Sequence, residues 1–490
     1  MRCVAVDVGA GSGRVLLGSF GEGRIELEEL HRFGNAPVSR GGHLRWDVDR
    51  LFDEIRAGLA LVRERTGAAP DSIGVNTWGV DFVLLDGDGN LLDLPVSYRD
   101  HRTKGRMDSF LRRFDARRLY ARTGIQFLRI NTLYQLCALV EDSPELLKRA
   151  DRLLMIPDYL HYRLSGRMAM ELTNATTTQM VNVHRSEWDP EILRAVPLPE
   201  SLLSTPVRPG TRLGTVDASA CDLPGLENTE VVVPATHDTA SAVAACPAVE
   251  DEWAFVSSGT WCLMGTELAE PVVDEEARRL NFTNEGGAGE TYCFLRNLTG
   301  LWILRGLRDS LPGAPSYDDM ERMAERAEPL RRLIDPDHPL FFHPESMTAA
   351  VDEYCRRTGQ EAPAKAGEYV RCALESLALS FARTLEHLRR VQPKEISRVH
   401  MVGGGCRSRL LGRMACDSMQ LPLICGPVEA AALGNLLVQA VSLGELPDLA
   451  SARRLAYSSV GARSYEPGDA QPWGEAVERF RRLTGEGGDF

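Results

Sequence analysis

A chain of 490 residues is too long to fold around one hydrophobic core, which points to two domains or more. The formal charge of −13 excludes an electrostatic nucleic-acid surface, and no basic cluster is dense enough to seek an anionic membrane. The start, MRCVAVDVGA, has no charged segment leading into an apolar one, so no signal peptide is expected. No stretch approaches the roughly 20 apolar residues of a membrane span. These readings predict a cytoplasmic protein without nucleic-acid or membrane partners. The 11 cysteines form no CxxC pairs, which disfavours a zinc or redox site and suggests buried thiols. Cys355 and Cys372 remain a pair that oxidation could bridge.

In chain order, residues 2–8 (RCVAVDV) read as a buried strand, Gly9 to Gly13 as a turn, 14–20 as a returning strand and 24–31 as a third. Val48, Leu51, Ile55, Leu59 and Val62 recur at helical spacing, predicting a helix over 48–64. A strand at 72–77 and a hairpin, VDFVLLD–GDGN–LLDL, follow. Residues 100–200 look mostly helical and irregular. The second half opens like the first, with a strand at 253–257, a turn at 258–260 and a returning strand at 261–266. Later come a long amphipathic helix over 367–390, a strand at 398–402 ending in Gly403-Gly404-Gly405, a helix at 408–419, a strand at 421–425 and a helix at 428–442. Each half is mixed α/β. The expected domains are 1–246 and 247–460, with a helical tail over 461–490.

Nucleotide motifs narrow by elimination. A Walker loop needs Gly-Lys-Ser/Thr, and none of the four lysines follows a glycine. A dinucleotide fingerprint fails because Leu16 stands where the third glycine belongs and the next element reads as a strand. What remains is Asp7 at a strand end before a Gly/Ser turn. Such a turn can aim backbone N–H groups and Ser12 at phosphate, and Asp7 suits a hydrated magnesium ion. An ordinary hairpin with a capping Asp is the plain alternative. Ser257-Ser258-Gly259-Thr260 repeats the idea in the other half, and the Gly403–Gly405 triplet offers close approach of a nucleotide or merely a strained turn.

The polar quartet Thr236-His237-Asp238-Thr239 interrupts an apolar stretch. Asp238 or Thr239 capping a helix from Ala240 is one reading. Asp238 accepting a proton in a cleft, with His237 on a sugar oxygen, is the other. Thr77-Trp78-Gly79-Val80-Asp81 offers a ring, an approachable backbone and a carboxylate for sugar recognition, although Trp78 serves equally as core. Asn297 is a further candidate hydroxyl ligand or a loop cap.

Taken in order, VAVDVGAGSGRV, IGVNTWGVDFVLLD, PVSYRDHRT, GIQFLRINTLYQL, TNATTTQMVNV, THDTASAV, SSGTWCLMG, NEGGAGE, VGGGCRSRLL and GPVEAAALGN resemble the FGGY family of carbohydrate kinases, in its L-rhamnulose-phosphorylating branch. The resemblance runs from residue 2 to about 440. It implies an α/β protein of two ribonuclease-H-like (actin-like ATPase) domains with an interdomain cleft, ATP as co-substrate and Mg²⁺. Asp238 matches the family's catalytic base. Ala10, Gly11, Ser12, Gly13 and Arg14 match its phosphate hairpin, Asp7 its magnesium-side carboxylate, and Thr260 and Gly404 its ATP contacts. Gly79, His237, Thr239 and Asn297 match sugar contacts; Asp81 is added from its position beside Gly79. Arg305 stands where relatives usually carry Gln near the nucleotide, so its role is open. The implied reaction is phosphorylation of a small ketose by ATP at the 1-hydroxyl. L-Rhamnulose is the expected acceptor, with L-fuculose, L-xylulose or a non-catalytic sugar sensor as alternatives. Monomer and homodimer are both open.

Overall fold

The computed structural model describes residues 1–342 and 344–485. The chain divides into two compact units, neither continuous in sequence. The first comprises Met1–Val249, Glu267–Phe294 and Ala430–Ser459; the second comprises Glu250–Thr266, Leu295–Glu429 and the chain from Val460. This differs from a linear cut near 246, because two later segments pack with the N-terminal one.

The first unit is built on strands β1 (Arg2–Val8), β2 (Ser12–Gly21), β3 (Arg24–Gly34), β4 (Ser72–Thr77), β5 (Thr211–Thr215) and β6 (Glu230–Val233), in the order β5-β6-β4-β1-β2-β3. Cys3 to Val8 are all buried, as befits a central strand covered on both faces. β1 runs antiparallel to β2 and parallel to β4, and the register sets Asp7 opposite Arg14 on one side and Asn76 on the other. A helix over Val48–Thr66 buries Leu51, Ile55, Leu59 and Val62; Asp47 caps its start and Gly67, at φ 70°, ends it. The expected meander, helix and strand are therefore present.

The expected 80–94 hairpin forms only in part. Its turn closes, but the strand Phe82–Leu85 pairs with Arg152–Met155, and Leu91 makes a single bridge to Leu85. The partner strand Arg152–Met155 buries Leu153, Leu154 and Met155, whereas the proline-flanked residues 91–94 after the turn stay half-buried. Residues 100–200 are short helices and turns around a second apolar cluster that includes Phe110, Tyr134, Leu136 and Met155.

The helix Ala430–Ser442 lies on the first sheet. Asn435 Nδ2 donates to Gly74 O (3.1 Å) and Asn76 Oδ1 (2.8 Å), and Gln439 Nε2 donates to Val4 O (2.9 Å). Gly74 permits this approach, since a Cβ there would sit 2.6 Å from Asn435 Oδ1.

In the other large sheet β7 (Trp253–Ser258), β8 (Trp261–Leu268), β9 (Tyr292–Thr299), β10 (Arg398–Val402), β11 (Leu423–Cys425) and β12 (Arg463–Tyr465) follow the order β9-β8-β7-β10-β11-β12, with the short strand Thr283–Gly286 beyond β9. The long helix spans Ala366–Val391 and buries Leu374, Leu377, Phe381, Leu385 and Leu388. The tail is not wholly helical: β12 precedes a helix over Gln471–Leu483, and residues 486–490 lie outside the described residues. All eleven cysteines are buried and free, Cys355 and Cys372 included. Among the described residues, no helix is long and apolar enough to cross a membrane.

Candidate active site

β6 ends at Val233, and the loop after it leads into a helix that begins at Asp238 itself and runs to Ala244. The helix from Ala240 capped by Asp238 or Thr239 does not occur. His237 occupies the cap position without a side-chain cap bond, and Asp238 sits in the first turn. The Asp238 side chain keeps 33% of its exposure. Its Oδ1 accepts a bond from Thr239 Oγ1 at 3.2 Å. Withdrawal from water raises its pKa above the ordinary value, nearby Asp7 adds to the rise, and His237 opposes it.

His237 is buried between carboxylates. Nε2 lies 3.5 Å from Asp238 Oδ1, and Nδ1 lies 3.2 Å from Glu285 Oε2. Burial pushes its pKa down, but the pull of Glu285, Asp238 and Glu171 outweighs this and the net shift is upward.

Glu171 anchors the loop. Its fully buried carboxylate accepts bonds from Thr173 N and Oγ1, Asn174 N, and Thr236 N and Oγ1. His237 N donates to Thr173 Oγ1 at 3.1 Å. The loop before Asp238 is thereby tied to the 171–174 segment through polar atoms that burial would otherwise leave unpaid.

Asp7 is buried at the end of β1. Asn76 Nδ2 donates to its Oδ1 at 2.8 Å, and Arg14 Nη2 pairs with Oδ2 at 3.3 Å. The turn after it is closed by Gly9 N donating to Ser12 O (2.9 Å), and Arg99 Nη2 donates to Ala10 O (3.1 Å). Gly11 is exposed, while Ala10, Ser12 and Arg14 are half-buried and Gly13 is buried against Phe33.

Gly79 is buried, and a Cβ there would meet Thr177 Oγ1 at 2.9 Å. Thr239 is buried beside Asp238. Asp81 is corrected. Its side chain has no exposure and is enclosed by four donors: Trp46 Nε1 (2.6 Å), Trp78 Nε1 (3.0 Å) and Tyr98 N (3.1 Å) at Oδ2, and Gln135 Nε2 (2.9 Å) at Oδ1. A carboxylate so saturated is a framework group, not a sugar ligand. Trp78 belongs with it, buried against Trp46 at 4.5 Å between centroids.

In the second unit the β7–β8 turn carries exposed Thr260. Leu301 N donates to Gly259 O (2.9 Å) and Trp302 N to Thr260 O (3.1 Å). Gly300 makes this possible, because a Cβ there would fall 2.5 Å from the Trp261 carbonyl carbon. Gly403, at φ 88°, and Gly405 pack on Ser258, leaving Gly404 exposed beside the same turn. Arg305 is exposed on the helix Trp302–Ser310, and Asn297 is half-buried on β9.

The structure places Asp7, Arg14, His237, Asp238 and Thr239 in one unit and Thr260, Gly404, Arg305 and Asn297 in the other. Sequence reading missed Glu171, Glu285 and Asn76, and singled out Thr236 without giving it a role. Glu285 lies within NEGGAGE, but only folding shows which imidazole it meets.

One α/β unit carries the carboxylate cluster and a glycine-turn hairpin, and the other carries glycine turns packed against each other. The chain belongs to the FGGY family of carbohydrate kinases: the family's N-terminal domain matches residues 2–245 and its C-terminal domain residues 254–443. The protein is an ATP-dependent sugar kinase of that family. It is 44% identical over 480 residues to a rhamnulokinase of Bacteroides thetaiotaomicron, covering 98% of this chain and 99% of that one. A rhamnulokinase of Bacillus subtilis is 39% identical over 469 residues, covering 96% of each chain. Among solved structures, a ligand-bound xylulose kinase from Lactobacillus acidophilus superposes with a TM-score of 0.83 at 16% identity, covering 99% of this chain and 98% of that one. Plasmodium falciparum glycerol kinase with ADP does so with a TM-score of 0.78 at 14%, with the same coverage. These superpositions establish the shared fold.

Proposed function

We propose that the protein transfers the γ-phosphoryl group of ATP to the 1-hydroxyl of L-rhamnulose, giving L-rhamnulose 1-phosphate and ADP in rhamnose catabolism. The observation that carries the chemistry is the Asp238 carboxylate. It is partly open, stands at a helix start, and is held among His237, Thr239 and Asp7. The choice of sugar rests on the full-length likeness to the two rhamnulokinases.

Asp238 takes the proton of the 1-hydroxyl as its oxygen forms the bond to the γ-phosphorus. The bond from that phosphorus to the bridging oxygen breaks, and ADP departs with the electron pair. His237 and Thr239 orient Asp238 and the sugar, and Gly79 lets the sugar approach backbone. Asn297 is assigned to the sugar as well. Ala10 to Arg14, Thr260 and Gly404 are assigned to the nucleotide, with exposed Arg305 free to meet phosphate. Asp7 fits a magnesium ion: it is an oxygen donor that acts electrostatically on a second carboxylate, Asp238, and Mg²⁺ accepts few protein ligands. Bound there, the ion would offset charge on the phosphates.

Asp238→Asn tests the reading. It keeps the shape of the side chain and removes the base, so turnover should fall by at least about 100-fold while ATP binding persists. Steady-state kinetics with L-rhamnulose, L-fuculose and L-xylulose, and the position of phosphorylation in the product, decide it. Near-normal turnover removes Asp238 from the mechanism, and a clear preference for another ketose replaces the assigned sugar.

A further inference from the structure

Glu285 lies on the buried strand Thr283–Gly286, remote in sequence from the base, with only 6% of its surface exposed. Its Oε2 and His237 Nδ1 are both buried, neither has a well-aligned hydrogen-bond partner, and they face each other at ion-pair distance, 3.2 Å. Two buried polar atoms with no other satisfaction hold one another in place, since separating them would leave both unpaired. The other ring nitrogen of the same imidazole points to Asp238. An imidazole whose one nitrogen is fixed by a carboxylate has a fixed ring orientation and a fixed proton on that nitrogen.

We propose that Glu285 is a positioning residue for phosphoryl transfer: through His237 it fixes the Asp238 carboxylate in the orientation that accepts the sugar proton. This rests on the reading of Asp238 as the base.

The geometry stands on more than one contact. The backbone on which His237 rides is pinned by Thr173 and, through Thr236, by Glu171, so the ring can change its aim only by rotating its side chain. The charged groups facing His237 are Glu285, Asp238 and Glu171. Those acting on Asp238 are His237 and Asp7, the latter paired with Arg14. All the carboxylates around the imidazole favour its charged form, which burial alone would suppress. Removing the charge of Glu285 takes away the strongest support for the charged form of the imidazole and loosens the ring that faces Asp238. The fold survives, because glutamine has the same volume and can still place an oxygen near Nδ1.

The experiment uses the full-length enzyme and Glu285→Gln, His237→Gln and the double variant. Histidine ¹⁵N spectra give the state of His237, one of ten histidines, which is assigned from its absence in His237→Gln. In the wild type Nδ1, which faces Glu285, should appear as a protonated nitrogen, and Glu285→Gln should lower the pH at which the ring loses its charge. Turnover in Glu285→Gln should fall by between about 10- and about 100-fold, with ATP affinity unchanged and the thermal midpoint near wild type. The double variant should be no slower than His237→Gln alone, because the two side chains act as one unit. Turnover within about twofold of wild type, an unchanged His237 signal in Glu285→Gln, or additive losses in the double variant overturns the proposal. If Glu285→Gln does not fold, the wild-type spectrum alone decides: a His237 ring with Nδ1 unprotonated refutes it. An active Asp238→Asn enzyme would remove the base while leaving the His237 spectra as predicted, so the two failures are distinguishable.

Discussion

Replacing Asp81 with asparagine perturbs one oxygen of a carboxylate that serves four donors. Three of them, the Trp46 and Trp78 indoles and the Tyr98 amide, converge on Oδ2, so the asparagine oxygen settles there and keeps them. Its NH₂ then replaces Oδ1 and meets Gln135 Nε2. That amide cannot simply flip, because Nε2 also donates to Val80 O and Ile130 O while Oε1 accepts from Arg102 Nη2 at 2.6 Å. One charge-assisted bond is lost and two donors are opposed, a cost of about 1–3 kcal/mol. The burial that raises the Asp81 pKa sets the limit on this cost, since asparagine avoids desolvating a charge. Asp81→Ala strands all four donors and should cost more than about 4 kcal/mol, a large share of a typical folding stability. Urea unfolding measures both. At temperatures where Asp81→Asn remains folded, its KM for sugar and for ATP should stay within about twofold of wild type. A KM for the ketose raised tenfold or more, with unchanged stability, would refute the reasoning and return Asp81 to the sugar site.

Two further outcomes follow from buried contacts. His161 Nε2 accepts from Val75 N, and burial holds its pKa at about 3 against 6.5 when exposed. The unfolded chain thus binds a proton that the folded one refuses. Stability contributed by His161 is complete above pH 6.5 and is lost as pH falls toward 3, at about 1.4 kcal/mol per pH unit. His161→Gln should lose about 2 kcal/mol less than wild type between pH 7 and pH 5 in urea titrations, and equal losses would refute the assignment. Gly434 packs on the helix that starts at Asp238, where an added Cβ would lie 1.7 Å from Ser241 O. Gly434→Ala must push that helix away, so turnover should fall by about 100-fold and stability by at least about 1–3 kcal/mol; near-normal kinetics would show that the base tolerates the shift.

Local chemistry made the framework legible. The apolar run 2–8, the Gly9–Gly13 turn and the apolar spacing of helix Val48–Thr66 each depend on neighbours in sequence, and each formed. The partner of Phe82–Leu85 could not be seen, because the choice between LLDL and RLLM is made by burial and not by turn chemistry. Asp81 was misread for a related reason: a carboxylate beside a glycine at a strand end looks available until Trp46, Tyr98 and Gln135 arrive from distant segments to saturate it. The compact units are not continuous in sequence, because the contacts that recruit Ala430–Ser442 to the first one, such as Asn435 to Gly74, have no local signature. Glu171 and Glu285 stayed hidden because a buried acid is costly unless partnered, and sequence does not display partners.

How each acid is partnered separates framework from chemistry in the first unit. Glu171 is buried with five bonds from neutral donors, an arrangement that spreads its charge and leaves nothing to give. Asp7 has an amide and a guanidinium, and Glu285 has an imidazole. Asp238 is met by its neighbour's hydroxyl and, at 3.5 Å, by a ring already engaged on its far side, and it alone of the four keeps a third of its side chain open. A proton arriving at this cluster is therefore taken up at least cost by Asp238. Protonating Glu171 would waste several donors, protonating Asp7 would strip the half-buried Arg14 of its counter-charge, and protonating Glu285 would leave buried His237 Nδ1 without its facing carboxylate. The same asymmetry requires that neutralising Asp238 leave the unit folded while neutralising Glu171 loosen the loop on which Asp238 stands. Those opposite effects on stability follow from bond counting alone, independent of any likeness to other kinases.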